Sequence, residues 1–239
     1  MHCTGVFVNI VLENQESINL ENNVKNTNSQ SIEWTAWQRF YAKVLKRALD
    51  LFFGILFFII ALPILIVMPV IIRLESKGKA IFSQTRLGQN GKPFTMYKYR
   101  SMVVGAEKIG TGVYSYKDDN RVTKVGRFIR KTSIDEIPQV MNIIKGEMSF
   151  VGPRPTLTYH PWPYKDYTSF QKQRFMVKPG ITGLAQTEGR KAIEWTKRIE
   201  FDVEYIKKIG LFQDVKMIFL TAFRILKSED NVNVSDTAK

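Results

Sequence analysis

The sequence predicts an α+β protein, mostly helical with a small β-hairpin, that is attached to a membrane through its N-terminal part. Three observations predict this class. Residues 51–72 form an apolar run without a charge, two β-like segments flank Asn90-Gly91, and helical patterns fill most of the remainder. A run of this length suits a helix embedded in a bilayer. Asn-Gly between two apolar segments is a strong hairpin signal.

The composition permits one domain with a hydrophobic core and indicates an anionic partner. The chain has 239 residues, of which 44% are hydrophobic, and its formal net charge is +13. Such a charge suits nucleic acid, an acidic membrane face or a phosphorylated substrate. One cysteine excludes an internal disulfide and a multi-cysteine zinc site. Two histidines argue against a His-rich metal centre and against Ser–His or Cys–His chemistry.

Changes of composition divide the chain into four segments. Residues 1–33 are rich in Asn, Gln, Ser and Glu without periodicity, and they predict a flexible extension. The apolar piece within this extension is too short for a signal peptide. Residues 34–79 are expected to form an amphipathic helix and a membrane helix. Residues 80–228 are expected to form a cytosolic domain, and residues 229–239 a flexible tail.

An amphipathic helix is predicted from Trp34 onward. Its aromatic and apolar residues recur at spacings of three and four, and its basic residues lie mostly off that stripe. The stripe comprises Trp34, Trp37, Tyr41, Val44 and Ala48. The pattern suits a helix at a membrane interface, and it equally suits a helix that faces a soluble core. The same two readings apply to the C-terminal segment 212–227, which is also amphipathic and basic.

The apolar run carries two features that argue against a plain membrane crossing. Pro63 lies in its middle, where proline removes a backbone hydrogen bond and kinks a helix. Both flanks are basic, and basic flanks favour the cytoplasmic side. A re-entrant helix, broken at Pro63 and leaving by the face it entered, satisfies both facts and is favoured over a spanning helix. A buried helix of a soluble protein is the third reading.

Further elements of the cytosolic domain follow from local pattern. The segments "AIFSQTR" and "PFTMYKYRSM" predict two strands joined at Asn90-Gly91. The segment "RVTKVGRFIRK" predicts a basic helix, and "IPQVMNIIKGEMS" a helix that ends near Gly146. Other helices are predicted over 101–109, 166–176, 193–208 and 212–227.

The segment "TSIDEIPQ" holds two adjacent carboxylates, Asp135 and Glu136. One reading is a helix start, because Ser133-x-x-Glu136 is a capping-box pattern and acidic residues favour the first turn of a helix. The other reading is chemistry. An aspartate can attack phosphorus and form an acyl phosphate. A neighbouring glutamate can hold Mg²⁺, which prefers few carboxylates together with substrate phosphates.

Basic residues near this pair favour the chemical reading. Arg154 stands between two prolines in "VGPRP", which restricts the backbone and suits a pre-aimed guanidinium. An ordinary surface turn is the alternative. Lys98 and Arg100 alternate along a strand, where a solvated strand face is the alternative. The chain has no P-loop and no G-x-G-x-x-G, which argues against a simple kinase or a Rossmann enzyme.

Together these segments resemble a known family. The ordered motifs are "KRALD", "GKPFTMYKYRSM", "IRKTSIDEIPQVMNIIKGEMSFVGPRP", "KPGITGLAQTEGR" and "EFDVEYI". They resemble the bacterial sugar transferases, the small monotopic polyprenyl-phosphate phosphoglycosyl transferases, from about residue 46 to 227. The chain departs from the family pattern at Leu62, where a serine usually precedes the proline, and at Leu184, where tryptophan is common.

The resemblance implies a reaction and assigns residues to it. Asp135 would be the nucleophile that takes a sugar 1-phosphate from a UDP-sugar with loss of UMP, and undecaprenyl phosphate would then attack. Glu136, with Asp135, would place Mg²⁺. The phosphates would be bound by basic residues, namely Lys98, Arg130 and Arg154. The nucleotide and sugar would be bound by a later group, namely Lys178, Gly180, Gln186 and Arg190.

The resemblance also implies a location and a role. The protein would lie in the bacterial inner membrane with its catalytic part facing the cytoplasm. It would perform the first membrane step in assembling an exopolysaccharide, a capsule, an O-antigen or a glycoprotein glycan. Its partners would be the UDP-sugar, undecaprenyl phosphate and membrane lipid, without nucleic acid. The sugar and the oligomeric state stay open, with a homodimer as one option.

Two other functions remain as alternatives. A membrane-tethered nucleotide-sugar hydrolase would form the same aspartyl intermediate and pass it to water. A basic membrane-anchored nucleic-acid-binding module would explain the charge, although no helix-turn-helix, zinc or RNP pattern is present.

Overall fold

A computed structural model of the chain describes residues 31–110, 112, 115–116, 119–188 and 193–226. Most of the predicted extension 1–33 and all of the predicted tail 229–239 lie outside the described residues. The described part is mostly helical with two small sheets, which confirms the predicted α+β class.

Helix α1 (Ala36–Glu75) is the longest element, and by length and composition it could cross a membrane. It starts at a capping box, in which the Thr35 side chain accepts from the backbone N–H of Gln38 and the Gln38 side chain accepts from that of Thr35. A π-helical turn at Tyr41–Leu45 then leads into the α-helical stretch Lys46–Glu75. In this part of the helix Tyr41 is buried, while Trp37 and Val44 are exposed.

The break predicted at Pro63 is not seen. The α-helix continues through both Pro63 and Pro69 to Glu75. Proline holds a φ angle that a helix accepts, and its cost is one lost hydrogen bond and a steric clash with the preceding turn. A helix that packs against other elements on both sides of the proline can bear that cost.

One stripe of α1 packs against the rest of the described chain from Ala80 onward, which we call the body. The buried positions run along the α-helical stretch from its first residue nearly to its last: Lys46, Asp50, Gly54, Ala61, Met68 and Ile72. The other faces are apolar and exposed, and Ile59 and Ile60 are 62% and 67% exposed. The helix therefore lies along the body and offers a broad apolar surface on its outer side.

The predicted hairpin is confirmed. Strands β1 (Ile81–Leu87) and β2 (Pro93–Tyr99) pair antiparallel, with Ile81 opposite Tyr99. The connection uses Asn90 at a φ of 57°, a left-handed conformation that asparagine tolerates better than most residues. The register turns Lys98 toward the carboxylate segment, as described below.

Most of the predicted helices are present, although some are shorter than expected. Gly146 ends a helix at a φ of 82° as predicted, and both closing helices are confirmed. The helix expected over 101–109 is only a 3₁₀ turn at Ala106–Lys108. The helices are α2 (Lys124–Lys131), α3 (Val140–Lys145), α4 (Ser169–Lys172), α5 (Leu184–Glu188), α6 (Trp195–Lys207) and α7 (Leu211–Leu226).

A second sheet was not predicted. Strands β3 (Ser149–Val151) and β4 (Gly180–Thr182) pair parallel within segments that the sequence suggested were loops. The two backbones approach so closely that a Cβ on Gly180 would lie 2.1 Å from the backbone nitrogen of Gly152. Glycine is therefore required where these strands meet.

A buried polar cluster joins α1 to the two closing helices. Asp214, at the start of α7, accepts hydrogen bonds from the hydroxyls of Tyr41 and Tyr205, each at 2.7 Å, and pairs with the ammonium of Lys46. The side chains of Lys46 and Asp214 are each only 8% exposed. A buried ion pair of this kind is strongly destabilised when one partner is removed, because the other charge stays buried alone.

We predict that Asp214→Ala destabilises the protein by about 3–5 kcal/mol, because the Lys46 ammonium loses its counter-charge inside the protein. Glu204→Ala is the matched control, since its partner Lys208 is exposed, and it should cost at most about 1 kcal/mol. Chemical unfolding of both variants in the same detergent measures the difference. Equal losses would show that the buried cluster does not hold α1 to the closing helices.

Candidate active site

The turn that presents the two carboxylates is a 3₁₀ segment, Ile134–Gln139, directly after α2. Ser133 joins the two at a φ of 57°, a strained conformation for a residue other than glycine. The Ser133 side chain makes no capping hydrogen bond to this segment. The Glu136 side chain points to cations on other elements instead. The capping-box reading is therefore wrong.

Glu136 is held by two cations from distant parts of the chain. Its Oε1 accepts from Lys98 Nζ at 2.5 Å and from Arg154 Nη2 at 3.3 Å. Burial alone would raise the pKa of Glu136, but Lys98 and Arg154 outweigh burial and hold this pKa well below its usual range. Glu136 is thus a fixed anion that ties the hairpin and the Arg154 turn to the carboxylate segment.

Asp135 has the opposite character. Its carboxylate accepts no hydrogen bond from any residue that the structure describes. Burial raises the pKa of Asp135 to about 6, and the negative charge of Glu136 adds to this effect against the attraction of Lys98, Arg130 and Arg154. A carboxylate without hydrogen bonds, among cations and partly desolvated, is suited to act as a nucleophile or to coordinate a metal.

The turn that carries Arg154 is fixed from behind by backbone and by a buried ion pair. The backbone N–H of Gly180 donates to the carbonyl of Pro153 at 3.0 Å. Arg174 donates to the carbonyl of Arg154 at 2.9 Å and pairs with Asp202 at 2.7 Å, where both side chains are 1% exposed. Arg154 can therefore keep its guanidinium at Glu136 while part of that side chain stays accessible.

Arg130 reaches the same region from α2. It donates to the hydroxyl of Ser115 at 3.0 Å. Its pKa is lowered by burial and raised in part by the charge of Asp135. Three predicted phosphate-binding residues, Lys98, Arg130 and Arg154, therefore act electrostatically on the carboxylate pair.

The residues predicted to bind the nucleotide lie away from the carboxylate pair or outside the described residues. Lys178 lies beside Arg47 and Gly146. Burial lowers the pKa of Lys178, and the positive charge of Arg47 lowers it further. Gln186 lies on α5, and its two side-chain amide atoms are buried without a hydrogen-bond partner among the described residues. Gly180 supports the Arg154 turn, and Arg190 lies outside the described residues. Their roles in binding the nucleotide stay predictions.

Two residues near the carboxylates were not predicted as site residues from the sequence. Arg86 and Gln139 line a small recess together with Met96, Lys98, Arg154 and Pro155. The Arg86 guanidinium donates to the carbonyl of Pro155 at 3.2 Å and to Gln84 at 2.5 Å. The one available signal for Gln139 was its spacing of three residues from Glu136, because residues three apart share a face in a 3₁₀ helix.

Comparison with known proteins settles the family. The family model of the bacterial sugar transferases matches residues 41–228. The chain belongs to the bacterial sugar transferase family. This finding confirms the resemblance inferred from the motifs.

Three relatives differ in how much of their own length this transferase chain covers. Sugar transferase EpsL of Bacillus subtilis (strain 168), which is named as uncharacterized, is 43% identical over 78% of this chain and 89% of its own length. The UDP-glucose:undecaprenyl-phosphate glucose-1-phosphate transferase of Escherichia coli (strain K12) is 42% identical over 76% of this chain. The undecaprenyl-phosphate galactose phosphotransferase of Salmonella typhimurium is 37% identical over 79%. The chain spans only 40% and 42% of the last two proteins.

We predict that Asp135→Asn leaves the metal-free protein at least as stable as wild type at pH 7–8. The folded-state pKa of Asp135 is raised from 3.8 to about 6. The native state therefore binds this proton more tightly than the unfolded state, so wild-type stability falls relative to the neutral amide as pH rises through that range. The advantage of the asparagine variant should disappear as pH falls from about 6 to about 4.

Thermal unfolding of both proteins from pH 4 to pH 8 measures this difference. An asparagine variant that is less stable than wild type at pH 7.5 would contradict the electrostatic account. It would mean that attraction by the surrounding cations exceeds the cost of burying the carboxylate.

Proposed function

We propose that this chain transfers a sugar 1-phosphate from a UDP-sugar to undecaprenyl phosphate and releases UMP, with Asp135 as a covalent nucleophile. The observation that carries the proposal is the contrast between the two carboxylates. Glu136 Oε1 accepts from both Lys98 and Arg154, whereas Asp135 stands beside the same cations without a hydrogen bond from the described residues. The named activities of the Escherichia coli and Salmonella typhimurium relatives support the same reaction.

The reaction has two displacements at one phosphorus atom. In the first, an Asp135 oxygen bonds to the sugar-bearing β-phosphorus of the donor, the bond to the α-phosphate oxygen breaks, and UMP leaves. In the second, an oxygen of undecaprenyl phosphate bonds to that phosphorus and the bond to Asp135 breaks. The aspartate is regenerated, and the product is undecaprenyl diphosphate sugar.

The cations around Asp135 suit the charge of the donor. The diphosphate of a nucleotide sugar carries negative charge on both phosphates, and phosphoryl transfer is catalysed mainly by positioning and charge stabilisation. Lys98, Arg130 and Arg154 supply positive charge near the carboxylates, and Arg86 lies next to Arg154. Arginine is well suited to this task because its planar fork can bind phosphate bidentately.

Mg²⁺ fits the donor set, and we propose it as the metal. Both cationic contacts of Glu136 use Oε1, so Oε2 stays outside them, and Asp135 adds a second carboxylate. Mg²⁺ commonly binds one or two carboxylates and completes its shell with water and substrate phosphates. The described residues contain no group of three or more His, Cys, Asp or Glu side chains that would form an all-protein site. When bound, the ion would neutralise phosphate charge.

We further propose that α1 is a re-entrant helix in the bacterial inner membrane, which bends at Pro63 without losing its helical structure and leaves by the face it entered, with the body in the cytoplasm. Both ends of the helix contact the same body. Near its start, Arg47 donates to the carbonyl of Ile143 at 2.7 Å. At its end, Glu75 accepts from the backbone N–H of Val125 at 3.1 Å. Contact of both ends with one body favours entry and exit by the same membrane face, and the exposed apolar faces of the helix would then contact lipid.

Two amphipathic surfaces continue this apolar face. On the first turns of α1, Trp37 and Phe40 are 61% and 49% exposed. On α7, Phe212 and Phe219 are 83% and 72% exposed, while Met217 is fully buried. Each helix thus packs one side against the protein and offers aromatic residues on the other, which suits the headgroup region. This arrangement brings a site for a water-soluble donor to the level of a lipid phosphate.

We predict that purified protein in lipid nanodiscs releases UMP from at least one UDP-sugar when undecaprenyl phosphate is present. UDP-glucose and UDP-galactose are the first donors to test, given the names of the relatives. Asp135→Asn should abolish release because an amide cannot form the acyl phosphate. Asp166→Asn is the matched control, since that carboxylate is exposed on a distant turn.

Product analysis separates the candidate functions. Undecaprenyl diphosphate sugar supports the transferase, whereas free sugar 1-phosphate formed without lipid acceptor would identify a hydrolase. An Asp135→Asn variant with wild-type UMP release would contradict the covalent mechanism.

The re-entrant path has its own test. The test uses a Cys3→Ser background, which removes the one native cysteine. Single cysteines are then placed at the exposed positions Lys43 and Lys79. Both should react with an impermeant thiol reagent only from the cytoplasmic side. A cysteine at Lys165, an exposed position of the body, marks that side. Labelling of positions 43 and 79 from opposite sides would establish a spanning helix instead.

A further inference from the structure

Gln139 has an unusual position in the protein. It is 2% exposed, and its amide Nε2 is buried without a hydrogen-bond partner among the described residues. It lies three residues after Glu136 on the same 3₁₀ segment, where side chains three residues apart share a face. It also lines the recess defined above by Arg86, Met96, Lys98, Arg154 and Pro155, which we call the Gln139 recess.

A second buried amide one turn further on shows that the fold can satisfy such a group. Asn142 is fully buried, and its Nδ2 donates to the carbonyl of Thr95 and to Glu147 Oε2, each at 2.7 Å. Its Oδ1 accepts from the backbone N–H of Tyr97 at 3.1 Å. A buried donor without a partner costs free energy. The Nε2 of Gln139, which has no partner among the described residues, is therefore available to a water or to a ligand in the recess.

The chemistry of the recess identifies the ligand class. Three of its six residues are cations, namely Arg86, Lys98 and Arg154, and the Nε of Arg86 is a second buried donor without a partner in the described structure. Donors and positive charge select a ligand that has acceptor oxygens and negative charge. A phosphoryl group meets both conditions, whereas a metal cation meets neither.

We propose that Gln139 is a further catalytic residue, whose amide N–H contacts a non-bridging oxygen of the phosphoryl group that Asp135 accepts. This inference rests on the proposed function. Lys98 and Arg154 act on the charge of Asp135 and also line the Gln139 recess, so a phosphoryl group on Asp135 would lie close to this recess, where the side chain of Gln139 is already buried. A preorganised donor of this kind acts most strongly when charge spreads over the phosphoryl oxygens in the transition state.

The amide N–H of Gln139 could contact either the transferred phosphoryl group or the phosphate of the lipid acceptor. The two half-reactions distinguish these two contacts. The transferred phosphoryl group is attacked twice, first by Asp135 and then by the lipid phosphate. A contact to its oxygens should therefore accelerate both steps. A contact to the phosphate of the acceptor would accelerate only the second step.

The test is Gln139→Met, which keeps the approximate size of the side chain and removes its amide. We expect single-turnover UMP release without acceptor to slow at least tenfold, and lipid product formation to slow as well. The UDP-sugar concentration for half-maximal rate should change little, because the contact is made mainly in the transition state. Thermal stability should be equal to or above wild type, because an unpaired buried donor is removed.

Gln89→Met is the matched control. The Nε2 of Gln89 donates to the carbonyl of Met176 at 2.9 Å, away from the recess. This substitution removes a satisfied amide, so it should lower thermal stability and leave the rate of UMP release unchanged. The same replacement of Gln by Met is thus expected to have opposite effects at the two positions. At Gln139 it slows UMP release without lowering stability, and at Gln89 it lowers stability without slowing UMP release.

The remaining outcomes are decisive as well. A Gln139→Met protein that releases UMP within threefold of wild type would overturn the inference alone. Loss of rate accompanied by a lowered melting temperature would assign Gln139 a structural role and overturn it too. Slowing of the second half-reaction alone would move the contact to the acceptor phosphate. Wild-type protein that releases no UMP from any UDP-sugar would overturn the proposed function, and the inference with it.

Discussion

The Glu136 carboxylate, held by Lys98 and Arg154, is the interaction on which the site depends. It joins three elements that are far apart in sequence: the hairpin, the 3₁₀ segment after α2, and the turn after β3. Charge-assisted hydrogen bonds to a buried carboxylate are among the stronger contacts in a protein. Glu136 takes both cations on one oxygen, while the neighbouring Asp135 accepts no hydrogen bond from the described residues. The distribution of these bonds gives two adjacent carboxylates different electrostatic environments.

The surrounding fold keeps this arrangement rigid. The Arg154 turn is supported by glycine contacts between β3 and β4, and by the buried pair of Arg174 and Asp202. The hairpin is held to α3 through the Asn142 amide, which bonds both Thr95 and Tyr97. Such supporting contacts fix functional side chains more precisely than a flexible loop could. The strained conformation of Ser133 fits this picture, since it redirects the chain from α2 to the carboxylates.

The contacts of α1 connect the apolar helix to this site. Arg47 binds carbonyl groups at the end of α3, whose helical segment begins with the carboxylates. Glu75 binds backbone N–H groups at the start of α2, which carries Arg130. The apolar helix is thus attached to both sides of the segment that presents Asp135. The proposed action of Asp135 on a lipid phosphate would require such a fixed relation between the site and the apolar helix.

Much of this structure could be predicted from the sequence. The apolar run, the Asn90 turn and the closing helices carry strong local patterns, and the family motifs identified the carboxylate pair. The β3–β4 pair was missed because three-residue strands are too short to show alternation, and their glycines resemble loop residues. The continuity of α1 through Pro63 depends on tertiary packing. The contacts of Lys178 and the unpaired amide of Gln139 are properties of the three-dimensional arrangement, which no local pattern encodes.

The covalent role of Asp135 is the central claim, and mass spectrometry of the intact protein tests it most directly. Wild-type protein incubated with its UDP-sugar in the absence of acceptor should gain the mass of one sugar phosphate, and peptide mapping should place that mass on Asp135. Addition of undecaprenyl phosphate should remove it. Wild-type protein that releases UMP to form the lipid product without ever carrying this added mass, even when the reaction is quenched within one turnover, would contradict the account.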